Sequence, residues 1–108
     1  MRTTSVITFG EALIDRLGPP GGNPSFDLPV IDCFGGAPAN VACALSRLGV
    51  NVSFIGSLGN DAFGNNLKNL LIQREINISG LQQDNLRPTR IVLVRRDPSG
   101  ERSFDGFQ

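Results

Sequence analysis

The sequence has no histidine, no tryptophan and no tyrosine, and only two cysteines among its 108 residues. Without histidine, Ser-His, Cys-His and His-metal chemistry cannot be built from this chain. Cys33 and Cys43 match neither a zinc spacing nor a redox C-x-x-C pair. They read as reduced, small, buried side chains. An excess of charge of either sign is also missing, with ten basic and ten acidic residues. A neutral chain with scattered charges has no electrostatic footprint for nucleic acid. It offers no basic amphipathic helix to a membrane surface either. Long hydrophobic runs are absent too. No stretch approaches the roughly 20 apolar residues of a membrane span. The opening MRTTSVITFGEALID has too short an apolar run for a signal peptide. The expectation is a cytoplasmic protein with no nucleic-acid and no membrane partner. Its chemistry must rest on carboxylates, amides, hydroxyls and backbone groups.

What is present alternates between strand-like and helix-like stretches. VITFG (6–10) is apolar and β-rich, a buried strand. GEALID and then RLGPPGGNPS follow, the latter a loop by composition. FDLPVIDCF (26–34) alternates as a half-exposed strand, and Pro29 puts it at an edge. A helix over about 38–48 starts with Pro38, where a missing N–H costs nothing. Val41, Leu45 and Leu48 fall on one apolar face of it. VNVSFIGSL (50–58) is the next strand. Asp61 caps a second helix, about 61–74, with Phe63, Leu67, Leu70 and Leu71 on one side. INISGL (76–81) reads as a short strand and 89–107 as a hairpin. In its turn, Asp97, Pro98 and Gly100 fit the preferences of a type I turn. Strands alternating with helices imply β-α-β units, a doubly wound parallel sheet and an α/β class. The outlying segments 26–34 and 89–107 suggest a small extra sheet. A parallel sheet of about three strands lacks cover for both faces, as in the front part of a longer protein.

GGAPANVACALSRLG (35–49) is a glycine loop opening a helix. It is not a Walker A loop, and the sequence after Phe9 fails the dinucleotide fingerprint. No lysine or arginine occurs between residues 33 and 46 to meet a phosphate dianion. A neutral polyol fits better. Gly35 and Gly36 let a ligand approach the backbone closely. Ala37, at the expected cap, leaves the early helix N–H groups free to donate. Asn40 offers donors and an acceptor. Asp15, expected beyond the first strand at the same sheet edge, could accept from two hydroxyls. Each residue also has a plain reading: a solvated acid, a capping amide, turn glycines.

FGEALID (9–15), FGGAPANVACALSRLG (34–49), FIGSLGNDAFG (54–64) and SGERSF (99–104) together resemble the N-terminal part of the ribokinase-like, or PfkB, carbohydrate kinases. Gly59, Asp61 and Gly64 fit that family's G-x-D-x-x-G. The resemblance covers nearly the whole chain and points toward the fructokinases. It implies a ribokinase-like doubly wound parallel sheet with a small β lid, the lid segments lying at about 16–33 and 89–107. The whole of 1–108 would be the substrate-binding part, and the ATP-binding C-terminal half would be absent. It implies transfer of the γ-phosphoryl of ATP, with Mg²⁺, to a hydroxyl of a small-molecule sugar, and homodimers formed through the lid. The sugar-binding residues that it implies are Asp15, Gly35, Gly36, Asn40, Arg90 and Phe104. Arg90 stands where a small or apolar residue is common, and Gly106, Phe107 and Gln108 stand where many fructokinases have aromatics and an arginine.

The family's catalytic aspartate lies in a G-A-G-D motif, which does not occur here. The resemblance therefore implies no catalytic residue within this chain, and an inactive fragment. The alternatives are a kinase for another sugar, a sugar acid or a nucleoside, and a non-catalytic sugar-binding or dimerising module.

Overall fold

A computed structural model describes residues 5–108; residues 1–4, the start of the stretch read as lacking a leader, lie outside the described residues. The elements run β1 (Ser5–Phe9), β2 (Leu13–Pro20), β3 (Ile31–Gly35), α1 (Ala37–Arg47), β4 (Asn51–Gly59), α2 (Ala62–Gln73), β5 (Leu81–Asp84), β6 (Ile91–Arg96) and β7 (Arg102–Phe107). They build a three-stranded sheet of order β1-β4-β5 and a four-stranded sheet of order β3-β2-β6-β7. The first sheet is parallel throughout. The second is mixed, with β2 and β6 parallel and the outer pairs antiparallel. Among the described residues, no helix is long and apolar enough to cross a membrane.

Val52 and Phe54 lie on one face of β4. They join Ala39 and Ala42 of α1 and Leu67 and Leu71 of α2 in one buried cluster. The same cluster takes in Ile14, Ile91 and Leu93, so the second sheet packs into the core of the first. The opposite face of β1 carries Ile7 and Phe9, both exposed.

Both helices fall where the sequence puts them, and Asp61 caps α2 by accepting from the Gly64 N–H at 2.7 Å. The Asp97 turn closes as expected, with the Gly100 N–H donating to the Asp97 carbonyl at 2.9 Å. Other expectations are corrected. RLGPPGGNPS is not all loop, because β2 runs to Pro20 and lies between two partners. Buried Leu13, Ile14 and Leu17 hold it there, and the Arg96 Nε donates to the Gly18 carbonyl at 2.7 Å.

The strand expected over 26–34 begins only at Ile31, although it is an edge strand as Pro29 suggested. Upstream, Asn23 and Asp27 close a local loop. The Asn23 N–H donates to the Asp27 carboxylate at 2.7 Å, and the Ser25 N–H to the Asn23 side chain at 2.9 Å. Such local bonds compete with a sheet ladder. The strand expected over 76–81 lies at Leu81–Asp84, with a single bridge from Asn77 to Ser53 before it. The Asn77 side chain takes the Ser79 N–H in a turn that delays the strand.

The buried face of α1 is not Val41–Leu45–Leu48. Ala39 and Ala42 are buried, Leu45 is half-buried, and Val41 and Leu48 are exposed. Alanines let the helix approach the sheet closely, and Val41 and Leu48 fall outside that contact while Leu45 packs at its margin. The cysteines are free, but Cys33 is exposed on the edge strand and Cys43 half-buried, so neither is fully buried as expected.

Candidate functional site

Asp15 does not emerge from a loop after the first strand. It sits within β2, paired with Cys33 on one side and Val92 on the other. Paired residues share a face of a sheet. Val92 also pairs with Phe107, which completes a row Cys33–Asp15–Val92–Phe107 across four strands. The next row runs Ile31–Leu17–Val94–Phe104. Arg90, just before β6, stacks on the Phe107 ring at 4.7 Å from its centroid. Phe107 meets Phe104 edge to face at 5.2 Å. The second sheet thus presents one carboxylate beside a short aromatic and cationic strip.

Gly35 ends β3, and a Cβ built on it would come within 2.9 Å of the Asp15 Cγ. The carboxylate occupies the space that a side chain would take. Gly36, rather than Ala37, is the N-cap of α1, with φ 98° and no side-chain capping bond. A Cβ there would meet the Glu11 backbone carbonyl carbon at 3.0 Å. The first turn begins with the Asn40 N–H donating to the Gly36 carbonyl at 2.9 Å, and Asn40 itself is exposed. Asp15, Gly35, Gly36 and Asn40 thus form one continuous path from β2 over the β3–α1 junction.

Burial pushes the Asp15 carboxyl above its usual range, and Arg102 on β7 partly opposes this by attraction. Neither sequence pattern nor spacing singled out Arg102, because its nearness to Asp15 depends on pairing across three strands.

A separate cleft of about 310 Å³ opens nearby, lined by residues 10–12, 57–59, 84 and 87–90. It lies beyond the carboxyl ends of β1 and β4, where open α/β sheets bind ligands. Of the expected sugar residues only Arg90 lines it. Ser57, Asp84 and Arg87 were not anticipated; the loop that carries Arg87 has no sequence signal beyond its polar composition.

Among the described residues, no three His, Cys, Asp or Glu side chains gather where a metal ion could sit.

The description "pfkB family carbohydrate kinase" matches residues 3–106. The chain belongs to the pfkB carbohydrate kinase family. The fold of this pfkB family chain is the ribokinase-like α/β fold with parallel strands, as in solved relatives. It is 38% identical over 99 residues to the fructokinase of Salmonella typhimurium, covering 92% of this chain and 30% of the relative. A crystal structure of fructokinase with bound ATP from Xylella fastidiosa superposes with a TM-score of 0.81 at 38% identity, over 96% of this chain and 32% of that one. A fructokinase of Vibrio cholerae O395 in a fructose-, ADP- and calcium-bound form gives a TM-score of 0.76 at 29% identity, over 95% and 32%. The chain spans about a third of the length of the relatives it matches.

Proposed function

We propose that this chain forms the sugar-holding part of an ATP-dependent carbohydrate kinase whose acceptor is fructose. The observation that carries the reading is the seat of Asp15. Its carboxylate is half-buried, it rests against Gly35, and it shares a sheet row with Val92 and Phe107. A carboxylate so placed accepts from sugar hydroxyls, while Gly36 leaves α1 without a side-chain cap and its first N–H groups free for hydroxyl oxygens. Arg90 and Phe104, on the strip beyond, bound the sugar on its far side. The similarity to proteins named fructokinases supports fructose.

In this reading the second sheet acts as the lid over the sugar. ATP and Mg²⁺ are held mainly by segments outside these 108 residues. Phosphoryl transfer relies on positioning and charge stabilisation, and this chain contributes the first. Its acids offer little for deprotonation: Asp61 and Asp97 are engaged in a helix cap and a turn, and Glu11, at the cleft, is the one minor candidate. A second reading, self-association through the second sheet, draws support from the exposure of Ile31, Phe104 and Phe107 on the face that carries Asp15.

The test is fructose binding to the purified chain by calorimetry or ligand-observed NMR, with Asp15→Ala as the control. Charge-assisted hydrogen bonds contribute about 1.5–3 kcal/mol each, so the variant should bind roughly 10- to 100-fold more weakly. Equal affinity in both proteins would remove Asp15 from the sugar site. A coupled ADP-release assay on the same chain, with fructose, ATP and Mg²⁺, should show no turnover. Rates of about 1–100 per second, ordinary for kinases, would put the chemistry inside this chain.

A further inference from the structure

Gly59, Asp61 and Gly64 are absent from the Asp15 row, yet all three gather around one residue, Thr89. Thr89 is 4% exposed and directly precedes Arg90 and β6. Its N–H donates to one Asp61 carboxylate oxygen at 2.8 Å, and its hydroxyl donates to the other at 2.7 Å. The same hydroxyl accepts from the Gly59 N–H at 3.0 Å. Asp61 also caps α2 through the Gly64 N–H at 2.7 Å. Four hydrogen bonds thus tie the end of β4, the start of α2 and the start of β6 into one knot.

The glycines explain the spacing of the motif. A Cβ on Gly64 would run into the Gly59 carbonyl and lie 2.9 Å from the Thr89 hydroxyl oxygen. A Cβ on Gly59 would collide with the Thr89 N–H and approach the Pro88 carbonyl carbon to 2.7 Å. Only bare backbone lets the three elements come this close.

The knot joins the two sheets. Gly59 and Asp61 belong to the body built on β4 and α2, whereas Thr89 leads into the second sheet. The residue after it, Arg90, accepts from the Ile14 N–H at 3.0 Å, and Ile14 is the neighbour of Asp15. At the other end of the loop, the Asp84 carboxylate accepts from the Leu86 N–H at 2.7 Å and the Arg87 N–H at 3.3 Å. The 84–90 loop is therefore pinned at both ends. The rest of the contact between the sheets is largely apolar packing of Ile14, Ile91 and Leu93, which gives cohesion without direction.

We infer that Asp61 and Thr89 are positioning residues whose hydrogen bonds set the second sheet in register over the α/β body and hold Arg87 and Arg90 at the mouth of the cleft. Their polar atoms are taken up by one another and by the Gly59 and Gly64 N–H groups. They act through the backbone, from Thr89 to Arg90 to Ile14 to Asp15.

Amide hydrogen exchange of the 108-residue chain, followed by NMR, tests this independently of any sugar. In Thr89→Val the amides of Ile14 and Gly21, which bond within the second sheet, should exchange roughly tenfold faster or more. The amides of Phe54 and Asn77, which bond within the body, should stay within about twofold of the parent. Thr89→Ser, which keeps the hydroxyl, should restore the parent pattern. Equal acceleration at all four amides would mean a general loss of stability and overturn the inference, as would no acceleration or no rescue by serine. If Thr89→Val does not fold, Asp61→Asn must show the same split, and unfolding of both variants also overturns it. Fructose affinity gives a second readout, expected to fall roughly fivefold or more in Thr89→Val and to return in Thr89→Ser. A parent chain that binds no fructose defeats the sugar reading alone, since the exchange pattern still decides the knot.

Discussion

Gly35 and Asp15 interlock: the carboxylate of Asp15 fills the position that a side chain on Gly35 would need, with its Cγ 2.9 Å from that point. Gly35 has no left-handed backbone, so its constraint is space and not φ. A single methyl group at Gly35 must move the carboxylate. Gly35→Ala should cost about 1–3 kcal/mol of stability, as overpacking does. It should also weaken fructose binding roughly tenfold or more, since Asp15 loses its seat. Urea unfolding and calorimetry check the two effects separately, and a variant with unchanged affinity would mean that Asp15 need not sit where it does.

Asp15→Asn should raise stability at neutral pH while lowering sugar affinity. Burial, partly opposed by Arg102, lifts the Asp15 pKa in the folded chain above its unfolded value. An acid with a raised folded pKa destabilises the fold when ionised. That cost is absent below the unfolded pKa of about 3.9 and grows as pH rises through the folded pKa. Asparagine removes it. The urea midpoints of the two proteins should therefore differ at pH 7 and converge in acid. A variant less stable than the parent at pH 7 would show that the carboxylate is a structural support.

Local rules account for what was legible in the sequence. Asp61 at a helix start and Asp97 before Pro98 were both readable, because capping and turn chemistry involve neighbours in the chain. Both helices were readable for the same reason. β2 was not, because Gly18, Pro19 and Pro20 look like loop residues and only pairing with β6 carries the strand through them. Likewise Val41 looked like core and Ala42 like filler, until contact with the sheet favoured the smaller side chain. Asp15, Gly35, Gly36 and Asn40 were reached through motif resemblance and helix-start reasoning. Their physical link, the carboxylate filling the glycine's space, comes only from the antiparallel pairing of β2 and β3. Arg102 and the knot around Thr89 depend on still longer-range contacts.

Thr8 lies in β1, and its hydroxyl is buried without a hydrogen-bond partner among the described residues. An unpaired buried polar group destabilises by about 1–3 kcal/mol, and valine has nearly the same shape. Thr8→Val should therefore stabilise the chain by roughly 1 kcal/mol, part of the gain being lost to imperfect repacking. The urea midpoint should rise with an unchanged slope. A lower midpoint would mean that the hydroxyl finds a partner in solution.

Asp61 should respond to pH in the opposite sense from Asp15. Burial alone would raise its pKa, but the bonds from the Thr89 N–H, the Gly64 N–H and the Thr89 hydroxyl outweigh burial and hold it below the usual carboxylate range. A depressed folded pKa means that ionised Asp61 supports the fold. This support is complete above the unfolded pKa of about 3.9 and is lost as pH falls through the lower folded value. Protonation turns an acceptor of three donors into a group that must itself donate, and the Thr89 end of the knot is released. Acidification below about pH 4 should therefore loosen the start of β6 before the body unfolds. NMR can follow this through the Thr89 amide, whose signal should shift with a midpoint below that of a free aspartate. In Asp61→Asn the titration should vanish. A Thr89 amide that titrates identically in both proteins would show that some other group controls it, and that the acid sensitivity of the junction does not come from Asp61.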